Sequence, residues 1–378
     1  MAAVERPHPL LLAACALPGV LPAVAQGQAE TEAPPQVSFR ALHYEDEQPG
    51  LKRVKVTAPA LGIQWPLAAR WSLAASLTAD AVSGATPRWH SSVSGASRMN
   101  EERRGGRLDL THHGERGGWT AGGTFSDEHD YHSRALSLTG RLNSDDRNRS
   151  WSVGAAVTTD RIGSSDDAAL HERRRTREFT AGVTQVISPH AVAQLALTHV
   201  ASRGYHGDPY KTLDQRPRSR YQNTLVLRWN QHLEGLAGTL RLNGRVYRDS
   251  YGIRAHSAGA EWVWQASEWL DLTPSLRLHT QNAASFYVDP VYSYLGEPYP
   301  PGYFESPPAY LSLDQRLSAF GAITAGLKLT LRAQGGWSAE LKLERYRQRA
   351  DWRVGGPGSP GLAPFSARML QWGLTRRF

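Results

Sequence analysis

The feature that most constrains this chain is an alternation of apolar and polar residues that recurs along nearly its whole length. Period-two alternation is typical of a β-strand whose two faces meet different surroundings. It occurs in about sixteen segments that are separated by turn residues. These segments are 36–46, 51–66, 70–83, 104–113, 117–127, 131–143, 150–162, 173–187, 191–203, 219–232, 238–250, 254–266, 268–284, 311–332, 336–350 and 366–378. The chain is therefore predicted to be all-β, with an even number of strands.

The connections between these segments alternate in length. With the N-terminus on the periplasmic side, the even-numbered connections are short inner turns, such as 188–190 and 334–336. Several odd-numbered connections are long and rich in Pro, Gly and charge, such as 204–218 and 285–310. Short inner turns and long outer loops are the asymmetry of outer-membrane barrels. We predict a transmembrane antiparallel up-and-down β-barrel of about 16 strands.

The hydropathy of the chain agrees with a membrane barrel and argues against transmembrane helices. Mean hydropathy is −0.47, and no run of about 18 apolar residues follows the N-terminal region. A barrel strand turns only every second residue toward lipid, so a spanning barrel can be hydrophilic overall. Tryptophan prefers the lipid–water boundary. Nine of the twelve tryptophans fall near the predicted inner turns: Trp65, Trp71, Trp119, Trp151, Trp229, Trp262, Trp264, Trp269 and Trp337.

The last predicted strand, 366–378, carries a pattern of its own. Leu370, Trp372 and Leu374 alternate with polar or small residues, and the sequence ends on Phe378. This ending resembles the closing strand of bacterial outer-membrane β-barrels, in which the pattern is read by the assembly machinery. The resemblance implies that Trp372, Leu374 and Phe378 form an assembly signal, with outer-membrane lipid and the barrel-assembly machinery as partners. We expect this strand to close the barrel against the first one.

The N-terminal segment 1–25 is predicted to be a secretory signal peptide. Arg6 supplies its basic end, an apolar stretch follows at 10–24, and residues 23–25 form an A-x-A cleavage site. An alternative is a lipobox that ends at Cys15 and would leave a lipidated cysteine. The apolar run before Cys15 is very short and continues after it, which favours ordinary cleavage.

Cleavage would leave a short linker at 26–35 and the barrel at 36–378. The mature chain would hold no cysteine, so disulfides have no part in the fold. Its net charge would stay at +8, because the removed segment holds one Arg and one Glu. Lys and Arg alternate with apolar residues instead of clustering. This favours a polar lumen, and loops that face anionic lipid, over a nucleic-acid site.

Three internal segments and the terminal Phe378 carry a family resemblance. They are DAVSGATP at 80–87, DQRLSAFG at 314–321 and YRQRADW at 346–352. Together they resemble the bacterial exported proteins grouped as domain of unknown function 3570, over nearly the whole mature chain. That family has no assigned activity, so the resemblance implies a location in the outer membrane and leaves the function open.

Charged residues at inward positions of the predicted strands are the first candidates for function. A lumen of about sixteen strands is wide enough for a water channel or a plug. Mixed charges on its wall can sort solutes, or they can pair with one another and hydrate the wall. The lumen-lining candidates are Asp80, Asp109, Arg141, Glu178, Arg228, Arg241, Arg245, Glu261, Asp271, Arg277, Arg316, Lys328, Glu340, Lys342 and Glu344.

The long connection 285–310 is the second candidate, because it is rich in tyrosine and proline. Prolines stiffen such a loop, and aromatic rings can stack on a ligand or pack against the barrel. Two interpretations stay open: a loop that narrows the mouth, or a packed outer lid without a ligand. Its tyrosines are Tyr287, Tyr292, Tyr294, Tyr299, Tyr303 and Tyr310.

Histidines and serines give weaker signals. Segments 127–132 and 112–113 are rich in His, but they lack a recognised metal-ligand spacing, so polar turns are favoured over a metal site. The pairs available for hydrolysis are His256 with Ser257 and Asp271 with His279, without any recognised hydrolase motif. No enzyme activity, metal or cofactor is predicted.

The barrel width and the inward charges predict a porin-like conduit in the bacterial outer membrane for a small polar solute or an exported product. A second hypothesis is a barrel scaffold that holds a lipoprotein, a periplasmic protein or a redox partner. An outer-membrane hydrolase is a weaker third alternative, because no motif supports it.

Overall fold

A computed structural model of the chain describes residues 34–84, 99–211, 213–289 and 302–378. The predicted signal peptide, Cys15 and most of the predicted linker lie outside these residues. In the described part, sixteen strands pair antiparallel with their neighbours and close into one barrel. The last strand completes it by pairing with the first, from Gln36↔Arg377 to Glu47↔Ser366. The predicted fold is confirmed.

The barrel strands are 11 to 18 residues long and are joined mostly by consecutive hairpins. Sixteen belong to the barrel, while β10 and β15 form a separate two-stranded sheet. In chain order they are β1 Gln36–Gln48, β2 Leu51–Ala68, β3 Trp71–Gly84, β4 Met99–Gly114, β5 Gly117–Asp127, β6 Tyr131–Asn143, β7 Arg149–Ile162, β8 Glu172–Ser188, β9 Ala191–Gly204, β10 Asp214–Gln215, β11 Ser219–Leu233, β12 Gly238–Asp249, β13 Arg254–Ser267, β14 Leu270–Gln281, β15 Leu311–Ser312, β16 Phe320–Arg332, β17 Trp337–Arg349 and β18 Phe365–Arg377.

Helical structure is confined to short turns. The described part contains the 3-10 helices Glu234–Leu236, Gln315–Leu317, Gln334–Gly336 and Ala350–Trp352. None of its helices is long and apolar enough to cross a membrane.

The predicted strand 311–332 is wrong in its first half. The chain there forms the two-residue strand β15, then the 3-10 helix Gln315–Leu317, and only from Phe320 the long strand β16. The cause is Asp314, whose side chain accepts a hydrogen bond of 2.9 Å from the Arg316 N–H. Such a cap stabilises a helical turn and so interrupts the extended backbone.

The outward face of the barrel carries an apolar band. Leu136 and Leu138 at the middle of β6 are 68% and 57% exposed, and most barrel strands present similar side chains outward. A band of this size is unfavourable in water and suits lipid. The predicted tryptophans lie near the strand ends joined by short turns, for example Trp71 at the start of β3. We call this end of the barrel the short-turn end and the opposite end the long-loop end.

The lumen is not polar throughout, in contrast to the expectation from sequence. Near the long-loop end, inward side chains of β1, β2 and β16–β18 form a buried apolar cluster with Leu362 from the β17–β18 connection. Its members are Leu42, Tyr44, Val54, Val56, Ala58, Phe320, Ala322, Tyr346, Leu362, Phe365, Ala367 and Met369. At this level the outward row is polar, with Lys55, Glu45, Arg368 and Arg345 paired in register. The alternation has thus inverted, as expected where strands extend beyond the lipid.

Two connections at the long-loop end fold together over the mouth. We define the lid as residues 205–211 and 213–218 together with 282–289 and 302–319. Its two parts pair through Asp214↔Ser312 and Gln215↔Leu311. Further backbone hydrogen bonds run from Ser312 N to Phe286 O and from Val288 N to Ser312 O, at 3.0 and 3.1 Å. The lid is therefore an ordered unit of the fold.

Candidate functional site

A buried ionic cluster fastens the two parts of the lid to each other. Asp314 is fully buried at its centre, with Lys211 Nζ and Arg216 Nη2 at 3.1 and 2.6 Å from its Oδ2. Arg316 Nε donates to both carboxylate oxygens of Asp314, at 2.9 and 2.8 Å. Lys211 and Arg216 come from the connection before β11, and Asp314 comes from the connection before β16. The six members are Asp208, Lys211, Asp214, Arg216, Asp314 and Arg316.

The two most buried acids of this cluster differ in how firmly they hold their charge. Burial opposes ionisation of Asp314, but Arg316, Lys211 and Arg216 outweigh it and hold the pKa of that carboxyl well below its usual range. Burial raises the pKa of Asp208 in spite of Lys211 and Arg316 nearby. Asp314 is therefore the permanent anion around which the cluster is built, and Asp208 takes up a proton first on acidification.

Aromatic packing anchors the lid to the barrel rim. Tyr251, between β12 and β13, is almost fully buried, and its ring meets Phe286 of the lid edge-on at 4.9 Å. Its hydroxyl donates to the carbonyl of Pro217 at 3.0 Å. The Arg220 guanidinium lies 4.4 Å above the same ring. Desolvation raises the pKa of Tyr251 to about 12, so this hydroxyl stays protonated and keeps donating.

Beneath the lid lies a cavity of about 610 Å³, the upper cavity. Small-molecule sites in proteins commonly span about 300–1,000 Å³, so the space suits a metabolite-sized solute. One part of its wall is apolar, with Ile253, Leu317, Phe320 and Tyr346. The other part is rich in arginine: Arg103, Arg174, Arg216, Arg220, Arg245, Arg277 and Arg316.

Most of these arginines are neutralised by a carboxylate. Arg216 and Arg316 belong to the ionic cluster of the lid. Three more donate through Nε to a carboxylate on the adjacent strand. These pairs are Arg103 to Asp80 at 2.7 Å, Arg174 to Asp160 at 2.7 Å and Arg220 to Asp249 at 3.0 Å. Arg245 and Arg277 differ, because no carboxylate of the described residues lies within 4 Å of either.

Ser257, His279 and Gln281 form a hydrogen-bonded chain in the same wall. The Gln281 amide nitrogen donates to the carbonyls of Arg316 and Ser318, so its Oε1 accepts from His279 Nε2 at 3.3 Å. His279 Nδ1 is then the acceptor for the Ser257 hydroxyl, at 2.8 Å. This pairing joins the serine and the histidine that sequence had left unconnected, without a carboxylate partner for the ring among the described residues. Asp271 lies eight residues from His279 on β14, about 26 Å away along the strand.

The predicted lumen residues divide between two cavities and the wall. Arg245, Arg277 and Arg316 line the upper cavity. A smaller cavity of about 130 Å³ lies nearer the short-turn end, and five predicted residues line this lower cavity: Arg241, Glu261, Lys328, Glu340 and Lys342. Six of the remaining ones pair with other side chains of the barrel wall: Asp80 with Arg103, Asp109 with Arg107, Arg228 with Gln194, Asp271 with Arg332, Glu344 with Lys342 and Glu178 with Thr180. The last, Arg141, takes an inward position of β6.

The remaining predicted residues fall in several places. Tyr287 lies in the lid and donates to Asp289 at 3.1 Å, whereas Tyr303 and Tyr310 lie at its outer surface. Tyr292, Tyr294 and Tyr299 lie outside the described residues. At the short-turn end, the exposed side chains of Trp372, Leu374 and Phe378 continue the outward band. His132 bonds to Asp127 and His112 packs against Trp119, and no metal-binding group of three ligands occurs in the described part.

Arg316 was predicted to lie on a strand, and this is wrong. The side chain reaches the upper cavity from a 3-10 turn of the lid. The roles of Asp314, Lys211 and Arg216 were not predicted, since loop residues have no period that would reveal their partners. Arg174 and Arg220 were not predicted, although they occupy inward positions of predicted strands, which the alternation could have indicated.

His206 is the histidine of the lid that lines the upper cavity. Its Nδ1 donates to the Gly204 carbonyl at 3.0 Å, and its Nε2 accepts from the Ser202 hydroxyl at 2.8 Å. Burial and the charge of Arg174, with smaller effects of Arg220 and Arg216, lower the pKa of His206 to about 4. The ring is thus neutral while the lid is closed.

Acidification should loosen the lid through His206. When the lid opens, the ring regains a pKa near 6.5, so the open form binds a proton that the closed form does not. The contribution of His206 to closure is then fully present above pH 6.5 and is lost as pH falls toward about 4. Hydrogen exchange of 205–218 between pH 7 and pH 4 measures this, and His206→Gln should flatten the dependence. His190→Gln, at an exposed turn, is the control; an unchanged profile in His206→Gln would contradict the assignment.

A family model described as "Protein of unknown function (DUF3570)" matches residues 8–108 and 164–369. No curated protein matches the chain. Among solved structures it is similar to a "Bacterial polysaccharide outer membrane secretin", with 10% identity and a TM-score of 0.50, covering 90% of this chain and 98% of that one.

A further similar structure is the siderophore receptor PirA from Pseudomonas aeruginosa, with 10% identity and a TM-score of 0.45. That match covers 93% of this chain and 81% of the receptor. Because the identity to the secretin is only 10%, that similarity shows the fold alone, which is that of an outer-membrane barrel.

Proposed function

This chain belongs to the DUF3570 family, as its sequence motifs predicted, and we propose that it is a gated conduit for a small polar solute across the bacterial outer membrane. A cleaved signal at 1–25 exports it, and β18 guides its assembly through Trp372, Leu374 and Phe378. The lid controls passage at the long-loop end.

The observation that carries this proposal is the succession of two charged cavities inside one closed barrel. The upper and lower cavities measure about 610 and 130 Å³ and lie along the same lumen. In the lower one, Arg40 and Lys328 lie 3.8 and 3.9 Å from Glu340, which are distances that water bridges. Charged side chains in loose pairs are costly in a dry interior. The lining therefore suits a hydrated path.

The test is ion conductance in planar bilayers. The full chain should show low conductance while the lid is closed. Replacing residues 207–216 with a short Gly/Ser linker should raise the steady conductance severalfold, because this removes Asp208, Lys211, Asp214 and Arg216 of the cluster. The heat-dependent mobility of the band on a gel verifies folding of both proteins. If neither folded form conducts at any voltage, the conduit proposal fails.

A scaffold that holds a partner is the second candidate, and the apolar cluster around Leu42 and Val56 favours it. These side chains fill one side of the lumen and narrow it. The narrowing also argues against a wide passage for a polymer such as a polysaccharide. Purification from native membranes tests the scaffold: a stoichiometric lipoprotein or periplasmic protein would support it, and recovery of the barrel alone would count against it.

A further inference from the structure

Two arginines of the upper cavity, Arg245 and Arg277, are set apart from the other five. Arg245 lies on β12 and Arg277 on β14, both on the lumen face, with β13 between them. In the described part of the chain no carboxylate lies within 4 Å of either guanidinium. Arg245 has one aromatic neighbour, the Tyr247 ring at 5.4 Å. The pair is thus a concentration of positive charge without a protein counter-ion.

The positive charges of Arg245 and Arg277 also act on each other unfavourably. Like charges that share a partly dehydrated cavity cost more than they do in bulk water. A guanidinium carries five donors in a planar fork that matches the oxygens of a carboxylate or a phosphate. An oxyanion between the two arginines would satisfy donors on both and would remove the repulsion.

The surroundings of the pair show which anion would fit. The hydrogen bonds of Ser257, His279 and Gln281 occupy both ring nitrogens of His279, and these three residues place no carboxylate beside the two arginines. The His279 ring lies 5.6 Å from the Phe320 ring and continues the apolar part of the wall. A ligand with a charged head and a flat apolar body would contact both kinds of wall.

We infer that the upper cavity binds a small organic anion, with its carboxylate or phosphate head between Arg245 and Arg277 and its apolar body against Phe320. The inference rests on the proposed conduit and specifies the class of its solute. Closure of the lid encloses the bound anion, because Arg316 and Leu317 of the lid line the same cavity.

Titration calorimetry on the folded, detergent-solubilised full chain tests the site. The probes are benzoate and phenyl phosphate, which separate a carboxylate from a phosphate head, with benzyl alcohol and benzylamine as uncharged and cationic comparators. At least one anion should bind, and both comparators should bind much more weakly. The double variant Arg245→Gln/Arg277→Gln should weaken anion binding about tenfold or more, the factor expected when charge-assisted hydrogen bonds are lost.

Two further variants sharpen the test. Arg245→Lys/Arg277→Lys keeps the charge and should recover part of the affinity. Arg228→Gln is the matched control, because this lumen arginine bonds to Gln194 at 2.8 Å outside the cavity and should leave affinity unchanged. If the double glutamine variant does not fold, the two single glutamine variants carry the same test.

The inference is overturned by any of three results: neither anion binds at millimolar concentration, benzylamine binds as tightly as benzoate, or the glutamine variants bind like the wild type. Conductance separates this inference from the conduit proposal. A conducting barrel without anion binding removes only the assignment of the solute. Anion binding by a barrel that never conducts removes only the conduit.

Discussion

Asp314→Asn should release the lid while leaving the barrel intact. The change removes the one anion that Lys211, Arg216 and Arg316 share, and it leaves a buried cluster with an excess positive charge. Removing one partner of a buried ion pair costs about 3–5 kcal/mol, because the remaining charge is uncompensated. The barrel strands do not depend on this cluster, since β10 and β15 form a two-stranded sheet that is separate from the barrel. The loss should therefore fall on the lid.

Hydrogen exchange of residues 205–218 and 311–319 measures this release, together with bilayer conductance. We expect much faster exchange in the lid, unchanged protection in the barrel strands and a higher conductance. Asp127→Asn is the matched control, because Asp127 forms an exposed pair with Arg134, and such pairs are worth about 0–1 kcal/mol. Lid exchange as slow in Asp314→Asn as in the control would show that the cluster does not hold the lid.

Leu138→Arg should destabilise the barrel far more than the same change at Leu142 on the same strand. Both leucines face outward on β6 and are more than half exposed. Leu142 pairs with Trp151, one of the tryptophans near the short-turn end of the barrel. Leu138 pairs with Ala155, about 13 Å further along the strand. Arginine on the lipid face costs about 2–4 kcal/mol at the middle of the bilayer and about 0–1 near its surface.

Reversible unfolding in urea from lipid vesicles, followed by tryptophan fluorescence, measures both free energies. The free energy of unfolding should be highest for the wild type, lower for Leu142→Arg and lowest for Leu138→Arg. Most of the decrease should separate Leu138→Arg from Leu142→Arg. Because the substituted residue and the strand are the same, the comparison isolates depth in the bilayer. Equal losses at the two positions would contradict the placement of the lipid band.

The sequence predicted the barrel closely because its signals are local. Segments 117–127 and 131–143 match β5 and β6, and β18 closes on β1 as the last strand was expected to do. Alternation sets the inward and outward faces, and a short turn fixes which strands are neighbours. The same reasoning wrongly predicted one continuous strand at 311–332. Apolar or small side chains occupy every second position there, but the pattern runs through the capped 3-10 turn before β16. The cap at Asp314 ends the strand, and alternation alone does not reveal it.

The candidate site depended on distant contacts that no local pattern records. Arg216 reaches Asp314 across 98 positions of sequence, from one loop to another. Inward arginines such as Arg174 and Arg245 look alike in sequence. One has Asp160 on the adjacent strand within 2.7 Å, and the other has no carboxylate in reach among the described residues.

The sequence by itself therefore determined the sixteen-stranded barrel, its two unequal ends and the lipid-facing side of each strand, because side-chain alternation and turn length act between near neighbours. Only the tertiary structure decided that two loops form a lid around Asp314, that one side of the lumen is apolar, and that Arg245 and Arg277 have no carboxylate within reach in the described part. Those outcomes depend on which side chains the closed barrel brings together across its lumen and its mouth.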